Sequence, residues 1–207
     1  MNVHLGIIDY GAGNLHSVRN TFSAAGGHAR FITTPADMDG LTHLVLPGVG
    51  SFGNCAAQLR RQRLEESIRA WIARDRPFLG ICIGYQILFE EGDESPGTPG
   101  LGILRGRVRR FEPGGLKVPH MGWNSVSPTK PNAPLWRGLD ETPWFYFVHS
   151  FYPEPADRGI IAAACTYGET FAAAIQRGNL VATQFHPEKS QDAGVQFLEN
   201  FLMLEGR

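Results

Sequence analysis

The stretch PFLGICIGYQILF, Pro77–Phe89, decides the fold. Its first part, Pro77–Ile81, is a short apolar run of the kind that forms a strand buried on both faces. Cys82 follows, and helical spacing resumes almost at once over Tyr85–Glu90. Gly80 and Gly84 flank the cysteine as G-x-C-x-G, the thiol counterpart of the G-x-S-x-G nucleophile elbow. A sharp strand-to-helix turn forces the nucleophile into strained backbone geometry, and neighbouring side chains would clash, so both flanks are glycine. A sulfur at a helix start is favoured as thiolate by nearby N–H groups, and a neighbouring imidazolium adds to that. The competing reading is a buried structural cysteine, a common fate for a free thiol. Cys55, at a helix start, and Cys165, in a strand, lack such flanks and read as packing.

Outward from this elbow, the first half alternates strand and helix. Strands are expected at Val3–Asp9, Ala29–Thr33 and His43–Leu46, and helices at Asn14–Ala25 and from about Ala56 to Arg74. In the second helix Leu59, Leu64, Ile68, Trp71 and Ile72 fall near one face. Such alternation predicts a parallel sheet flanked by helices. The second half reads as antiparallel strands, added to that sheet or packed beside it: ILRGRVRRFE, KVPHMGWNSV, WFYFVHSFYP, IIAAACTYG, TFAAAIQRG and LVATQFHP. Gln191–Leu204 closes as a helix with Ser190 as its N-cap. Glu90–Gly100 is turn-rich and reads as a loop near the site. No linker interrupts the pattern, so residues 1–207 are expected to form one domain.

Composition excludes several function classes. The chain of 207 residues carries a net charge of −1, with 43% hydrophobic and 19% charged residues. That balance gives no drive toward nucleic acid or an anionic membrane. The N-terminus shows no secretory pattern, and no apolar run approaches the roughly 20 residues of a membrane span. Three scattered cysteines fit a reducing compartment, the cytoplasm. There is neither C-x-x-C nor H-E-x-x-H, so no metal is expected.

A thiolate nucleophile needs a base. Of seven histidines, only His186 lies at the end of a strand pattern in a motif of suitable chemistry, QFHPEKS, Gln184–Ser190. In an extended chain His186 and Glu188 point the same way, so a carboxylate can reach the far ring nitrogen and fix its tautomer. An exposed H-P-E turn is the alternative. Both motifs sit at C-terminal ends of expected strands, where α/β sheets place their sites.

LPGVGSFG, Leu46–Gly53, has the spacing G-x-G-x-x-G but not the context of a dinucleotide fingerprint. Its acidic candidates Glu65 and Glu66 fall inside the long helical segment. Its exposed backbone suits an oxyanion hole instead, one N–H coming from Ile83 and a second from Val49. Gly48 eases a flip of the Gly48–Val49 peptide between a silent and a competent state.

GICIGYQ, QFHPEKS and PGVGSF together resemble the class I (triad) glutamine amidotransferases. DYGAGN, HMGWN (His120–Asn124) and FYFVHSFY (Phe145–Tyr152) narrow the resemblance to the glutaminase subunits of imidazole glycerol phosphate synthases. The resemblance implies a flavodoxin-like α/β fold, a mostly parallel central sheet with added antiparallel strands. It implies no cofactor, with Cys82 as nucleophile, His186 as base and acid, and Glu188 as orienter. Glutamine would be held by Gly48, Gln86, Glu94 and backbone at Val148–Ser150, His149 included. Ammonia would pass to a (β/α)₈ cyclase subunit, with Asn14, Trp123, Asn124 and Lys189 at or near the interface. For these last residues the residue-level alternatives are a core tryptophan, a helix cap and a solvated charge. The usual elbow of that family reads G-I-C-L-G-M-Q. Here Ile83 and Tyr85 replace leucine and methionine, and Tyr85 belongs beside the pocket or in the core. Without the resemblance, a stand-alone cysteine hydrolase or a non-catalytic subunit with an unused cysteine stays open.

Overall fold

A computed structural model describes residues 3–112 and 115–206. The strands are β1 (Leu5–Ile8), β2 (Ala29–Ile32), β3 (His43–Leu46), β4 (Phe78–Ile81), β5 (Glu91–Gly92), β6 (Gly106–Arg110) and β7 (His120–Ser125). They continue as β8 (Ser127–Pro128), β9 (Trp144–His149), β10 (Phe151–Pro155), β11 (Ile161–Tyr167), β12 (Glu169–Arg177) and β13 (Leu180–Thr183). The helices are α1 (Leu15–Ala24), α2 (Phe52–Arg61), α3 (Glu65–Ala73), α4 (Ile83–Gln86) and α5 (Gln191–Leu202).

Among the described residues the main sheet runs β2-β1-β3-β4-β13-β12-β11-β8. The segment from β2 to β13 is parallel, and β12, β11 and β8 extend it antiparallel. β1, β3, β4 and β13 are buried at every position, which is why they read as unbroken apolar runs. The added strands split three ways. Some lengthen the main sheet, β10-β6-β5 form a small second sheet, and β7 and β9 form a two-stranded ribbon. The α/β fold with a mostly parallel sheet is as expected.

Three boundaries differ from the sequence reading, each for a local reason. The expected long helix is two helices. Arg63 takes φ 58°, Arg63 N–H donates to Arg60 O and Leu64 N–H to Leu59 O, closing α2 in a Schellman turn. An arginine stands where glycine is usual, and Leu59 and Leu64 are both buried, so the apolar spacing runs through the break. The helix after the elbow is a single turn, Ile83–Gln86, rather than Tyr85–Glu90. The carbonyls of Ile87, Leu88 and Phe89 instead accept N–H groups from the Gly100–Leu104 region. WFYFVHSFYP is two strands: β9 pairs with β7, the chain turns at Ser150, and β10 pairs with β6. Ser190 precedes α5, but its hydroxyl does not cap the helix; it donates to His186 O and accepts from Tyr146 N–H.

Candidate active site

Parallel pairing of β4 with β13 places Ile81 opposite Thr183, so the two chains leave the sheet side by side. Cys82 N–H donates to Thr183 O at 2.8 Å, which fastens the elbow to the strand that leads into His186. Cys82 itself sits at φ 54°, ψ −105°, a conformation costly for any side-chain-bearing residue. The flanking glycines are required by close approach. A Cβ on Gly80 would lie 2.5 Å from Gly84 O, and one on Gly84 would run into Leu46 O. The strained elbow expected from G-x-C-x-G is therefore present, and Cys55, Cys82 and Cys165 are all free and buried.

His186 lies beyond β13, and its backbone is held twice by the ribbon. Its N–H donates to Tyr146 O at 2.9 Å, and Ser190 Oγ bridges its carbonyl to Tyr146 N–H. Nδ1 of His186 is 2.7 Å from Glu188 Oε1, with both side chains buried. The geometry behind this contact is a 3₁₀ turn over Pro187–Lys189, not the extended chain that the sequence suggested. Nε2 makes no conventional hydrogen bond and faces the Cys82 side. Burial opposes a charge on this ring, but the Cys82 sulfur and the Glu188 carboxylate outweigh it and hold the imidazole well above its ordinary value.

A cavity of about 400 Å³ opens above the elbow, lined by Val49, Gly50, Cys82, Ile83, Gln86, Glu94, Pro119, Val148, His149, Ser150, Phe151 and His186. It collects Cys82 and His186, both expected oxyanion residues, and the expected glutamine-binding residues Gln86, Glu94, His149 and Ser150. Gly48 is placed differently. It backs the wall, where a Cβ would meet Ile83 Cβ at 2.6 Å and Tyr10 Oη at 2.8 Å, while Gly50 reaches the lining. Glu188 stands behind His186 rather than on the cavity. Glu94 Oε2 accepts the Phe52 N–H at the start of α2 at 2.7 Å, which fixes this loop carboxylate over the site.

His149 donates through Nδ1 to Phe151 O at 2.8 Å and accepts through Nε2 from His120 Nδ1 at 3.0 Å. Burial pushes His149 down to about 3 and His120 to about 4, so both rings are neutral and these tautomers are fixed. Among the described residues no group of three His, Cys, Asp or Glu could hold a metal ion.

The expected partner-facing residues fall into two kinds. Trp123 is 44% exposed and is not core; with Met121 and Trp144 it forms an apolar patch on the ribbon. Lys189 Nζ lies 5.6 Å above the Tyr146 ring beside it. Asn14 and Asn124 are committed within the fold. Asn14 Oδ1 caps α1 through Ser17 N–H, and Asn124 Nδ2 donates to Thr166 O. Tyr85 is core: it is fully buried, stacks edge-on with Phe89 and donates to Ala172 O. Sequence reasoning missed Gln184, whose side chain touches the Cys82 sulfur, and also Pro119 and Phe151. All three lie within quoted motifs, but nothing in their spacing marks them as facing a cavity.

Comparisons with known proteins give the family. Residues 6–204 match the family model described as glutamine amidotransferase class-I. The chain is 50% identical over 207 residues to imidazole glycerol phosphate synthase subunit HisH of Synechococcus sp. (strain JA-3-3Ab), covering 99% of this chain and 95% of that one. It is 51% identical over 200 residues to the same-named subunit of Cyanothece sp. (strain PCC 7425 / ATCC 29141), covering 96% and 94%. The solved structure of PurLQS from Thermotoga maritima superposes with a TM-score of 0.78 at 17% identity, covering 98% of each chain, and supports the fold alone. A strained cysteine elbow joined to a buried His-Glu pair, on a sheet of this order and in a chain this similar to those relatives, makes this protein a member of the class I glutamine amidotransferase family.

Proposed function

We propose that this chain is the glutaminase subunit of an imidazole glycerol phosphate synthase, acting as one domain in histidine biosynthesis, in the cytoplasm. The observation that carries the chemistry is the Cys82–His186–Glu188 arrangement opening onto a cavity of about 400 Å³. The near full-length identity to HisH subunits supports the pathway.

In this reading Cys82 Sγ attacks the side-chain carbonyl carbon of glutamine. The carbonyl electrons move onto oxygen, which the Ile83 and Val49 N–H groups stabilise once the Gly48–Val49 peptide is in its competent orientation. His186 passes its Nε2 proton to the leaving nitrogen, so ammonia departs and a glutamyl thioester remains. His186, now neutral, takes a proton from water. The resulting hydroxide equivalent attacks the thioester carbon, expels the Cys82 thiolate and releases glutamate, leaving His186 protonated as at the start. Glu188 keeps the Nδ1–H tautomer throughout and stabilises the imidazolium. Gln86 and Glu94 hold the amino-acid end of the substrate. Ammonia passes to a (β/α)₈ cyclase docked on the ribbon face, where Met121, Trp123 and Trp144 expose apolar surface that a partner would cover.

The test is glutamate release by the chain alone and with the cyclase and its nucleotide. A steep rise on adding the liganded partner, with Cys82 labelled by an electrophilic glutamine analogue, is the expected result. Full-rate turnover without a partner would instead favour a stand-alone hydrolase. No labelling would leave a non-catalytic subunit. Cys82→Ala should abolish glutamine use while the assembled complex still works from free ammonia.

A further inference from the structure

Gln184 is wholly buried at the end of β13, an expensive place for a primary amide unless both ends are paired. Both ends are. Its Oε1 accepts Gln86 Nε2 at 3.1 Å, and its Nε2 lies 3.6 Å from Cys82 Sγ. Gln86 Nε2 also donates to Phe151 O at 3.0 Å. A carbonyl can only accept, so the Phe151 contact fixes which end of Gln86 is the amide nitrogen. That nitrogen in turn fixes Gln184 with its oxygen toward Gln86 and its NH₂ toward the sulfur. The orientation thus follows from a chain of partners anchored at a main-chain carbonyl. The remaining oxygen of this chain, Gln86 Oε1, is buried and unpartnered, and Gln86 lines the cavity.

We propose that Gln184 is a positioning residue. Its NH₂ group aims the Cys82 sulfur and ties the nucleophile to Gln86, a residue read as holding substrate. The inference rests on Cys82 being the nucleophile. Cys82 turns on a strained backbone, and its χ1 rotation would otherwise let the sulfur swing off line. A donor at 3.6 Å restrains that rotation. A hydrogen bond to sulfur also grows stronger with the negative charge on its acceptor. Through Gln86, filling the cavity and aiming the sulfur become parts of one network.

The test uses the assembled complex and measures glutaminase turnover. Gln184→Met matches the side chain in volume and removes both contacts. A fall in kcat of about 10–100-fold is expected, since small misplacements of a reacting atom have effects of that size, while KM for glutamine changes far less. Gln184→Glu keeps an acceptor for Gln86 and loses the donor to sulfur, so it should lower kcat with KM near the wild-type value. An unchanged kcat, or a rise confined to KM, would overturn the proposal and leave Gln184 as a support for Gln86 alone. Co-elution of each variant with the cyclase reports that the chain is folded and docked. A second measurement needs no change at position 184. The side-chain amide resonances of Gln184 are expected to move in Cys82→Ala, and unmoved resonances would remove the contact. Retained glutaminase activity in Cys82→Ala would instead sink the assignment of the nucleophile, which keeps the two failures apart.

Discussion

His186 Nδ1 and Glu188 Oε1 are 2.7 Å apart in a pocket that leaves 2% and 3% of the two side chains exposed. A contact this short between an imidazole and a carboxylate, away from water, fixes both the ring's orientation and its tautomer. It also gives the imidazolium a partner at the moment it forms. Glu188→Gln keeps the shape and removes the charge. Its amide can also donate to Nδ1 and stabilise the wrong tautomer. Glutaminase activity in the complex should fall by about 10²–10⁴-fold, the range associated with losing general acid–base function. The circular-dichroism melt should shift by only a few degrees. A loss no larger than that of an exposed substitution would take Glu188 out of the reaction.

The elbow makes a separate prediction about stability. Gly84→Ala places a methyl group against Leu46 O, the last carbonyl of β3, in a fully buried site. Overpacking of this kind costs about 1–3 kcal/mol. The urea midpoint should drop accordingly. Ile83→Leu, one residue away and volume-conserving, should cost less than about 1.5 kcal/mol. Equal effects at the two positions would mean that the elbow can relax and that Gly84 is not required by close approach.

The ribbon supplies a prediction about association. Trp123 is exposed and packs edge-on to Tyr146 at 6.3 Å, while Tyr146 main-chain atoms bond to His186 and Ser190. A docked partner would therefore press on β9, the strand whose main chain bonds to that of the base. Trp123→Ala should weaken cyclase binding by about 2 kcal/mol or more, as buried tryptophan anchors do. Folding stability of the free chain should change by less than about 0.5 kcal/mol. Calorimetric titration of the two subunits decides it; unchanged affinity would move the interface elsewhere on the surface.

These three cases show which features the sequence could express. The elbow was legible because its geometry demands particular residues at fixed spacing: glycine on either side of Cys82, an apolar strand before it. The His186–Glu188 pair was legible as chemistry, though the turn that joins the two was misread as extended chain. Proline after His186 disfavours a helix at that residue but does not choose between a strand and a 3₁₀ turn. The break at Arg63 was hidden because a left-handed residue usually announces itself as glycine, and arginine here pays the strain. Gln184 was hidden for a different reason. A buried amide is identified by its partners, Gln86 and Cys82, which lie roughly a hundred positions away. Ser190 looked like a cap, and its real partner, Tyr146, is set by how the ribbon packs.

The buried histidines give the last prediction, a pH dependence of stability. Burial holds His43 and His120 at about 4 and His149 at about 3, so all three resist protonation in the folded chain. In the unfolded chain each takes a proton near pH 6.5. Between about pH 4 and 6.5 the unfolded state therefore binds more protons, and acidification favours unfolding. One fully buried group of this kind contributes a slope of at most about 1.4 kcal/mol per pH unit. His186 is shifted the other way, raised by Cys82 and Glu188 against its burial. Its contribution is complete below about pH 6.5 and is lost only as pH rises through its folded value, so it opposes the trend only near neutrality. Three groups against one set the sign. The urea midpoint of the free chain should fall steadily from pH 7 to pH 5, while a midpoint that is flat or higher at pH 5 would mean that these rings already carry protons in the folded state. His149 sits in the cavity wall with its Nε2 committed to His120, so its protonation would also break the His120 contact. That protonation falls near pH 3, below the scanned range, so the acid loss of stability is expected to set in before the His149–His120 contact breaks.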